Sequence, residues 1–144
     1  MSDQKEIVGF LSRVPLFSGL KKRQVESLAK RFVEREYGPE TAIVTQGRGG
    51  EGLFLIVAGH TDVIRERADG EKVQVNAFGP SDFFGELALL DDGPRTASVT
   101  TTEPTKCLVL TRWDFYGALR EDVDMSIAIL QEMARRFRVA LDSL

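Results

Sequence analysis

An acid and a base stand close together in the segment FFGELALLDDGPRTASV, residues 83–99, where Glu86 precedes Arg95 by nine positions. An apolar run and a turn containing glycine and proline lie between them. A guanidinium can bind a phosphate through two parallel hydrogen bonds, and a carboxylate accepts hydrogen bonds from hydroxyl groups. The pair therefore suits a ligand that carries both a phosphate and a hydroxyl. A structural ion pair is the alternative, because such pairs are common in proteins.

The residues around this pair also favour a binding site. Gly85 has no side chain to obstruct a close approach, and GELALL is long enough for one or two helical turns. At the start of such a turn the N–H groups of Glu86, Leu87 and Ala88 are expected to lack backbone partners, which suits an anion. Thr96 adds a hydroxyl beside the guanidinium. The segment therefore predicts an anion-binding turn.

The elements that must position this segment are mainly short strands. Residues 37–111 contain β-branched or aromatic runs separated by glycine, proline and aspartate at intervals of about 8–12 residues, as in antiparallel sandwiches and barrels. The predicted strands are TAIVTQG, GLFLIVAG, TDVIRER, KVQVNAF, RTASVTT and KCLVLT. Asp69-Gly70 predicts a hairpin with a type I′ turn. No helix of crossover length intervenes, so we expect a jelly-roll-like antiparallel β-barrel in a mainly β, α+β chain.

Helices are predicted on both sides of this barrel. Residues 6–36 show helical spacing of apolar side chains, with Pro15 ending one helix and Ser18 capping the next. Residues 112–144 contain no proline and predict a long C-terminal helix. Its apolar residues alternate by four and three positions, as in a heptad repeat: Val123, Ile127, Leu130, Ala134, Phe137, Leu141 and Leu144. This apolar stripe favours a homodimer, with packing of the helix on its own barrel as the alternative.

Composition excludes several classes of function. The chain has 144 residues, enough for a single domain, and a net charge of −3, so we expect no contact with nucleic acid or an anionic membrane surface. The single cysteine, Cys107, lies in a strand-like run and is expected to be a buried structural thiol. The single histidine, His60, is expected in a loop and cannot form a metal cluster or a catalytic triad. The cytoplasm is the expected compartment, since no disulfide can form within the chain.

Residues 83–99 resemble the phosphate-binding cassette of cyclic nucleotide-binding domains. That family has the pattern F-G-E-[LI]-[AG]-L, a short loop and P-R-x-A-[ST]-V, which stands here as residues 84–89 and 94–99 without a departure. The resemblance extends over nearly the whole chain, through YGPETAIVTQG, LFLIVAGHTDVI, FGPSDFFGE and QEMARRFRVAL. We refer to residues 83–99 as the cassette.

The resemblance implies a role for each matching residue. The cyclic phosphate would contact Arg95 and the amides at the start of the turn, so that Leu87, Ala88 and Ala97 share in this contact. Glu86 would bind the ribose 2′-hydroxyl, and Gly85 would contribute backbone to the sugar site. Cyclic AMP is the expected ligand, with cyclic GMP as the alternative because Thr96 follows the arginine.

The resemblance says less about which residues contact the base and which element responds to binding. In the catabolite activator branch of the family, a threonine and a serine on the C-terminal helix contact the adenine, whereas Ala140 and Leu141 stand at those positions here. Arg135 or Arg138 could cover the base instead. In the family the C-terminal helix closes over the base and transmits binding, so residues 114–144 are expected to be the responsive element.

The resemblance implies a sensor or regulatory domain and not an enzyme. The chain ends at Leu144 without room for a helix-turn-helix, so either a stand-alone sensor or a fragment of a larger cyclic AMP-responsive transcription regulator is expected. A nucleotide-independent interaction or dimerisation module of the same fold is a further alternative. A cupin-like enzyme would need several histidines, and the chain has one.

Overall fold

Eight strands form two antiparallel four-stranded sheets in the computed structural model, which describes residues 3–144. One sheet has the order β1-β8-β3-β6 and the other β2-β7-β4-β5. The strands are β1 Val33–Tyr37, β2 Ala42–Val44, β3 Gly52–Ala58, β4 Thr61–Glu66, β5 Lys72–Phe78, β6 Phe83–Phe84, β7 Ser98–Thr101 and β8 Thr105–Thr111. Each of the six predicted runs contains one strand, and the predicted jelly-roll-like antiparallel architecture is confirmed.

The core between these strands is apolar and aromatic. Phe84 stacks on Phe54 and on Phe78, with ring centroids 5.0 and 5.4 Å apart. The buried members of this core are Val44, Phe54, Ile56, Val63, Phe84, Val99, Cys107 and Val109. Burial raises the pKa of the Cys107 thiol to about 11, so the thiol stays protonated at neutral pH, as expected of a structural cysteine. Packing of β6 into this core fixes the point at which the cassette begins.

Residues 33–36 were predicted to be helical, and this is wrong. They form most of strand β1, which pairs antiparallel with β8 from Val33 opposite Val109 to Tyr37 opposite Thr105. The strand carries alternating charged residues, and its pairing partner lies more than sixty positions away in the sequence. Pairing across that separation overrides the local preference, so the sheet begins where a helix was expected.

The hairpin predicted at Asp69-Gly70 is present, but its turn type differs. Strands β4 and β5 pair up to Glu66 and Lys72, and the N–H of Gly70 donates to the carbonyl oxygen of Arg67 at 2.8 Å. Gly70 has φ +86°, whereas Asp69 does not have positive φ. A type I′ turn needs positive φ at both central residues. The connection is therefore a longer hairpin loop with glycine in the left-handed position.

The chain divides into two compact units, a sheet unit of Phe32–Arg112 and a helical unit of the residues up to Arg31 together with Trp113–Leu144. The helices are α1 Gln4–Leu11, α2 Lys22–Ala29, α3 Arg112–Glu121 and α4 Val123–Asp142. Ser18 was predicted to cap α2, but it does not. Lys21 precedes that helix, and its N–H donates to the side chain of Gln24 at 2.8 Å, while the Ser18 hydroxyl donates to Glu132 at 3.2 Å.

The C-terminal segment is helical, as predicted, but it is interrupted at Asp122. The Asp122 side chain accepts a hydrogen bond from the N–H of Met125 at 3.1 Å and thereby begins a new helix, α4. The predicted apolar stripe lies on the exposed side of α4, whereas Met125 and Ile129 are buried. None of the helices within residues 3–144 is long and apolar enough to cross a membrane.

Asp122→Asn tests the cap that separates the two C-terminal helices. The hydrogen bond from Met125, followed by contacts with Gln24 and Arg23, holds the pKa of Asp122 below its usual range. A carboxyl with a depressed pKa stabilises the fold above its unfolded-state pKa and loses that contribution as pH falls toward the folded-state value. Asparagine keeps the acceptor and removes the charge. We expect the variant to be less stable than wild type at neutral pH, and the difference to begin to shrink below about pH 4 and to vanish only below the depressed folded-state pKa.

Urea unfolding of both proteins between about pH 3 and pH 7 measures this difference. A stability gap that is independent of pH would show that the charge of Asp122 does not contribute.

Candidate functional site

The structure brings Glu86 and Arg95 to the same cavity. It has a volume of about 420 Å³, within the range of small-molecule sites. The residues that line it are Gly85, Glu86, Leu87, Ala88, Asp91, Gly93, Pro94, Arg95 and Thr96. Six of the seven predicted site residues are among them. The seventh, Ala97, packs against the apolar core of the sheet unit instead.

One wall of this cavity is a short 3-10 turn, Glu86–Leu89, as the sequence predicted. Gly85 precedes it with φ +87°, a left-handed conformation in which glycine is strongly favoured. The N–H of Ala88 donates to the carbonyl oxygen of Gly85 at 3.1 Å, so the prediction that this N–H lacks a backbone partner is wrong. In a 3-10 turn each N–H reaches back three residues, one fewer than in an α-helix, and Ala88 is therefore already paired.

Opposite this turn, the backbone of Arg95 is held by a loop rich in glycine. We call residues 47–52 the glycine loop; it leads into strand β3. The N–H of Arg95 donates to the carbonyl oxygen of Arg48 at 2.9 Å, and the N–H of Gly47 donates to that of Arg95 at 2.8 Å. An isolated β-bridge joins Gly49 to Pro94. These reciprocal bonds fix the direction in which the Arg95 side chain leaves the main chain.

The side chain of Arg95 then lies against backbone that has no side chains. A β-carbon added at Gly50 would overlap the guanidinium and stand 2.6 Å from its central carbon, and one added at Gly85 would stand 2.8 Å from Nη2. Real Cβ contacts are not this short, so both positions require glycine while Arg95 keeps its place. From the sequence, the glycines of this loop were predicted only to separate strands. A run of four glycines within six residues was the available signal for this close approach.

The Arg95 guanidinium is half-buried and forms no ion pair within residues 3–144. Its Nη2 donates to the carbonyl oxygen of Gly52 at 3.2 Å. Its Nε is buried and has no hydrogen-bond partner within residues 3–144, where Arg95 also forms no ion pair. Burial lowers the pKa of this guanidinium from its ordinary value. The alternative of a structural ion pair between Glu86 and Arg95 is therefore not what the fold contains. The site presents a partly desolvated cation beside a carboxylate.

A second cavity of similar volume, about 410 Å³, lies elsewhere in the sheet unit. Its charged residues are Glu36 and Lys106, and the ammonium of Lys106 is paired with Glu34 at 2.5 Å. His60 lies outside both cavities and pairs with Glu103 at 2.6 Å. Within residues 3–144, no group of three or more His, Cys, Asp or Glu side chains is arranged to hold a metal ion. The cassette cavity is therefore the stronger candidate for a ligand site.

The arginines considered for covering a base lie on α4. Arg135 Nε donates to Glu132 at 3.0 Å within the same helix, and Arg138 is exposed. Ala140 and Leu141 are exposed as well. The Arg135 pair occupies part of that guanidinium's donor capacity. The choice between the two arginines therefore stays a prediction.

Known proteins resemble this chain in sequence and in fold. Residues 34–122 match the family model described as "Cyclic nucleotide-binding domain". The chain is 33% identical over 126 residues to the "Cyclic AMP receptor protein" of Thermus thermophilus, covering 88% of this chain and 58% of that protein. It is 29% identical over 128 residues to the "CRP-like cAMP-activated global transcriptional regulator" of Mycobacterium tuberculosis, covering 89% and 57%. The chain thus spans less than two thirds of the length of these relatives.

A solved structure also resembles this chain along nearly its whole length. The N-terminal domain of a transcriptional regulator from Streptomyces coelicolor A3(2) superposes with a TM-score of 0.82 at 31% identity, covering 94% of this chain and 96% of that one. The family model matches well over half of the chain and includes all residues that line the cassette cavity. The chain therefore belongs to the cyclic nucleotide-binding domain family.

Proposed function

We propose that the chain is a regulatory domain that binds cyclic AMP, with cyclic GMP as the alternative, in the cassette cavity. The observation that carries this proposal is the half-buried Arg95 guanidinium, which lines the cavity without a counter-charge and with a buried Nε that has no partner within residues 3–144. A bound phosphate would supply both the charge and the acceptors. The names of the relatives support cyclic AMP, since one is a cyclic AMP receptor protein and another a cAMP-activated regulator.

The cavity also fits the rest of a cyclic nucleotide. Glu86 lines it from the first position of the 3-10 turn and would accept the ribose 2′-hydroxyl. Gly85 and Leu87 would present backbone to the sugar and phosphate, while Ala88 contributes its side-chain wall because its N–H is already used within the turn. Ala97 packs on the core and would act only through its backbone. The phosphate and the 2′-hydroxyl would thus meet Arg95 and Glu86, respectively.

Thr96 is the residue that bears on the choice of base. It is exposed and lines the cavity beside Arg95. A neutral hydrogen bond from its hydroxyl to guanine would contribute about 1 kcal/mol, which is tenfold or less in affinity. Thr96 would therefore admit cyclic GMP without making it the preferred ligand.

We further propose that the C-terminal helices respond to the ligand and that α4 mediates a homodimer. Its heptad-spaced apolar residues are exposed in the single chain, which is the arrangement that a helix–helix interface requires. For ligand binding to be regulatory, the ligand must bind two states of the protein with different affinities. Control of transcription as part of a longer protein is an extension of this proposal that rests on the names of the relatives.

Arg95→Ala tests the phosphate contact. Removing the guanidinium leaves a bound phosphate without its charge partner in a partly buried site, which costs about 2–5 kcal/mol, or roughly thirty- to several-thousandfold in affinity. Calorimetric titration of cyclic AMP and cyclic GMP into ligand-stripped protein measures this loss. Arg95→Lys is the matched control, since it keeps the charge but cannot form two parallel hydrogen bonds to the phosphate. Its affinity should lie between those of wild type and Arg95→Ala.

The stability of the ligand-free protein distinguishes this role from a structural one. The Arg95 side chain has a single hydrogen bond, to Gly52, and no ion pair within residues 3–144, so Arg95→Ala should leave the urea midpoint nearly unchanged. Unchanged affinity in Arg95→Ala would show that Arg95 is not the phosphate contact. No binding of either nucleotide by well-folded wild type would instead favour a nucleotide-independent interaction module.

Glu86→Gln tests the sugar contact when it is combined with a ligand that lacks the 2′-hydroxyl. A hydrogen bond to a charged group contributes about 1.5–3 kcal/mol, so wild type should bind 2′-deoxy cyclic AMP roughly ten- to 150-fold more weakly than cyclic AMP. In Glu86→Gln the two ligands should differ much less, because the charged acceptor is gone. Equal discrimination by both proteins would place the 2′-hydroxyl away from Glu86.

Amide exchange across α3 and α4 tests transmission. If these helices respond, saturating cyclic AMP should change their exchange rates in wild type but not in Arg95→Ala at the same nucleotide concentration. Tight binding without any change of exchange in residues 113–142 would leave the binding site intact as a proposal and remove the C-terminal helices as its output.

A further inference from the structure

Arg112 is buried beside the cassette, although it does not line the cavity. It is 5% exposed, and it is both the last residue of the sheet unit and the first residue of α3. Its Nη1 donates to the carbonyl oxygens of Asp91 at 2.9 Å, Gly50 at 3.1 Å and Ala88 at 3.4 Å. These three oxygens belong to the loop after the 3-10 turn, the glycine loop and the turn itself. One guanidinium group therefore contacts all three segments that frame the site.

Hydrogen bonding to these carbonyls makes the burial of Arg112 energetically acceptable. A buried charge is costly unless hydrogen-bonding groups surround it, and backbone carbonyl oxygens can accept hydrogen bonds from a guanidinium. The last carbonyls of a helical turn lack partners within the turn, and a cation placed there is favoured by the turn's dipole. Arg112 thus donates hydrogen bonds to carbonyl oxygens that have no partner within the short turn.

The remaining contacts of Arg112 strengthen the same arrangement. Its own N–H donates to the carbonyl oxygen of Glu51 in the glycine loop at 2.7 Å. Its Nη2 lies 3.4 Å from Asp92 Oδ1, but Asp92 has a side chain that is 75% exposed, so this ion pair is solvent-screened and weak. The carbonyl contacts, and not the ion pair, are the substantial ones.

Gly50 connects Arg112 to the binding site. Its carbonyl oxygen accepts from Arg112, and its α-carbon packs so closely on the Arg95 guanidinium that a β-carbon there would overlap it. Displacement of this peptide would therefore change the surface on which Arg95 lies. Ala88 and Asp91 tie the opposite wall of the cavity to the same guanidinium.

We propose that Arg112 is a positioning residue of the nucleotide site, which holds the glycine loop and the 3-10 turn at the separation that lets Arg95 and Glu86 act on one ligand. This inference rests on the proposed function and adds to it a residue that touches no ligand and acts through Arg95. Its removal should loosen the loop and weaken binding of the phosphate.

The experiment measures the affinity and dissociation rate of cyclic AMP, the binding stoichiometry and the urea midpoint for a set of Arg112 variants. Arg112→Met should weaken cyclic AMP about ten- to a hundredfold at unchanged stoichiometry. Arg112→Lys keeps the charge but cannot span three acceptors, and should be intermediate. Asp92→Asn, which removes only the exposed ion pair, should stay within about threefold of wild type. If Arg112→Met does not fold, Arg112→Lys carries the comparison.

Two controls separate positioning from general stabilisation. Arg31 is a half-buried arginine of the helical unit that bonds Glu121 at 2.6 Å and the carbonyl oxygen of Asp114 at 3.3 Å. Arg31→Met should lower stability without changing cyclic AMP affinity. In an Arg95→Ala background the effect of Arg112→Met on affinity should largely disappear, because Arg112 acts through Arg95.

Loss of stability with unchanged affinity in the Arg112 variants would overturn the proposal, as would an undiminished effect in the Arg95→Ala background. Failure of the proposed function is recognised separately, since wild type itself would then bind neither nucleotide. In that case amide exchange decides: Arg112→Met must raise the exchange of Gly47, Ala88 and Arg95, whose N–H groups hold the loop and the turn, above that of the other sheet amides. Unchanged exchange at these three amides overturns the positioning role as well.

Discussion

The position of the Arg95 guanidinium is the constraint on which the rest of the site depends. A cation that is half-buried without a counter-charge raises the free energy of the fold. Arg95 is held there because its backbone both donates a hydrogen bond to the glycine loop and accepts one from it. Gly50 and Gly85 have no side chains where the guanidinium lies. The apolar core of the sheet unit, with its stacked aromatic rings, offsets this local cost. An anion that binds Arg95 would relieve it.

Two arginines on either side of Gly50 lie in different environments, which fit the different roles proposed for them. Arg112 gives its donors to three main-chain carbonyls and is nearly inaccessible. Arg95 gives one donor to Gly52, keeps a buried Nε without a partner within residues 3–144, and lines a cavity. Both are arginine because both positions need a planar group with several donors. Only the second retains hydrogen-bonding capacity for a ligand.

Side-chain chemistry could be read from the sequence, whereas main-chain chemistry could not. Glu86 and Arg95 were predicted from their opposite charges together with the match of residues 83–99 to a family pattern, and the β-branched runs located six strands. Strand β1 was missed because VEREY is highly charged and its pairing with β8 is distant in sequence. Arg112 was missed because backbone carbonyls, which every residue has, are its partners. The pairing of the Ala88 N–H depends on whether the turn is 3-10 or α, which residue types do not specify.

The proposed ligand site and the proposed dimer surface lie in different units of the chain. Every residue that lines the cassette cavity belongs to the sheet unit, whereas the exposed apolar stripe belongs to α4 in the helical unit. Substitutions can therefore change the residues of one surface without changing those of the other. Coupling between the two would be measured as a change in the affinity at one surface when the other is occupied. Arg112 is a member of both the cassette's hydrogen-bond network and the first turn of α3. A ligand that shifts the cassette carbonyls would thus act directly on the residue at which the C-terminal helices begin.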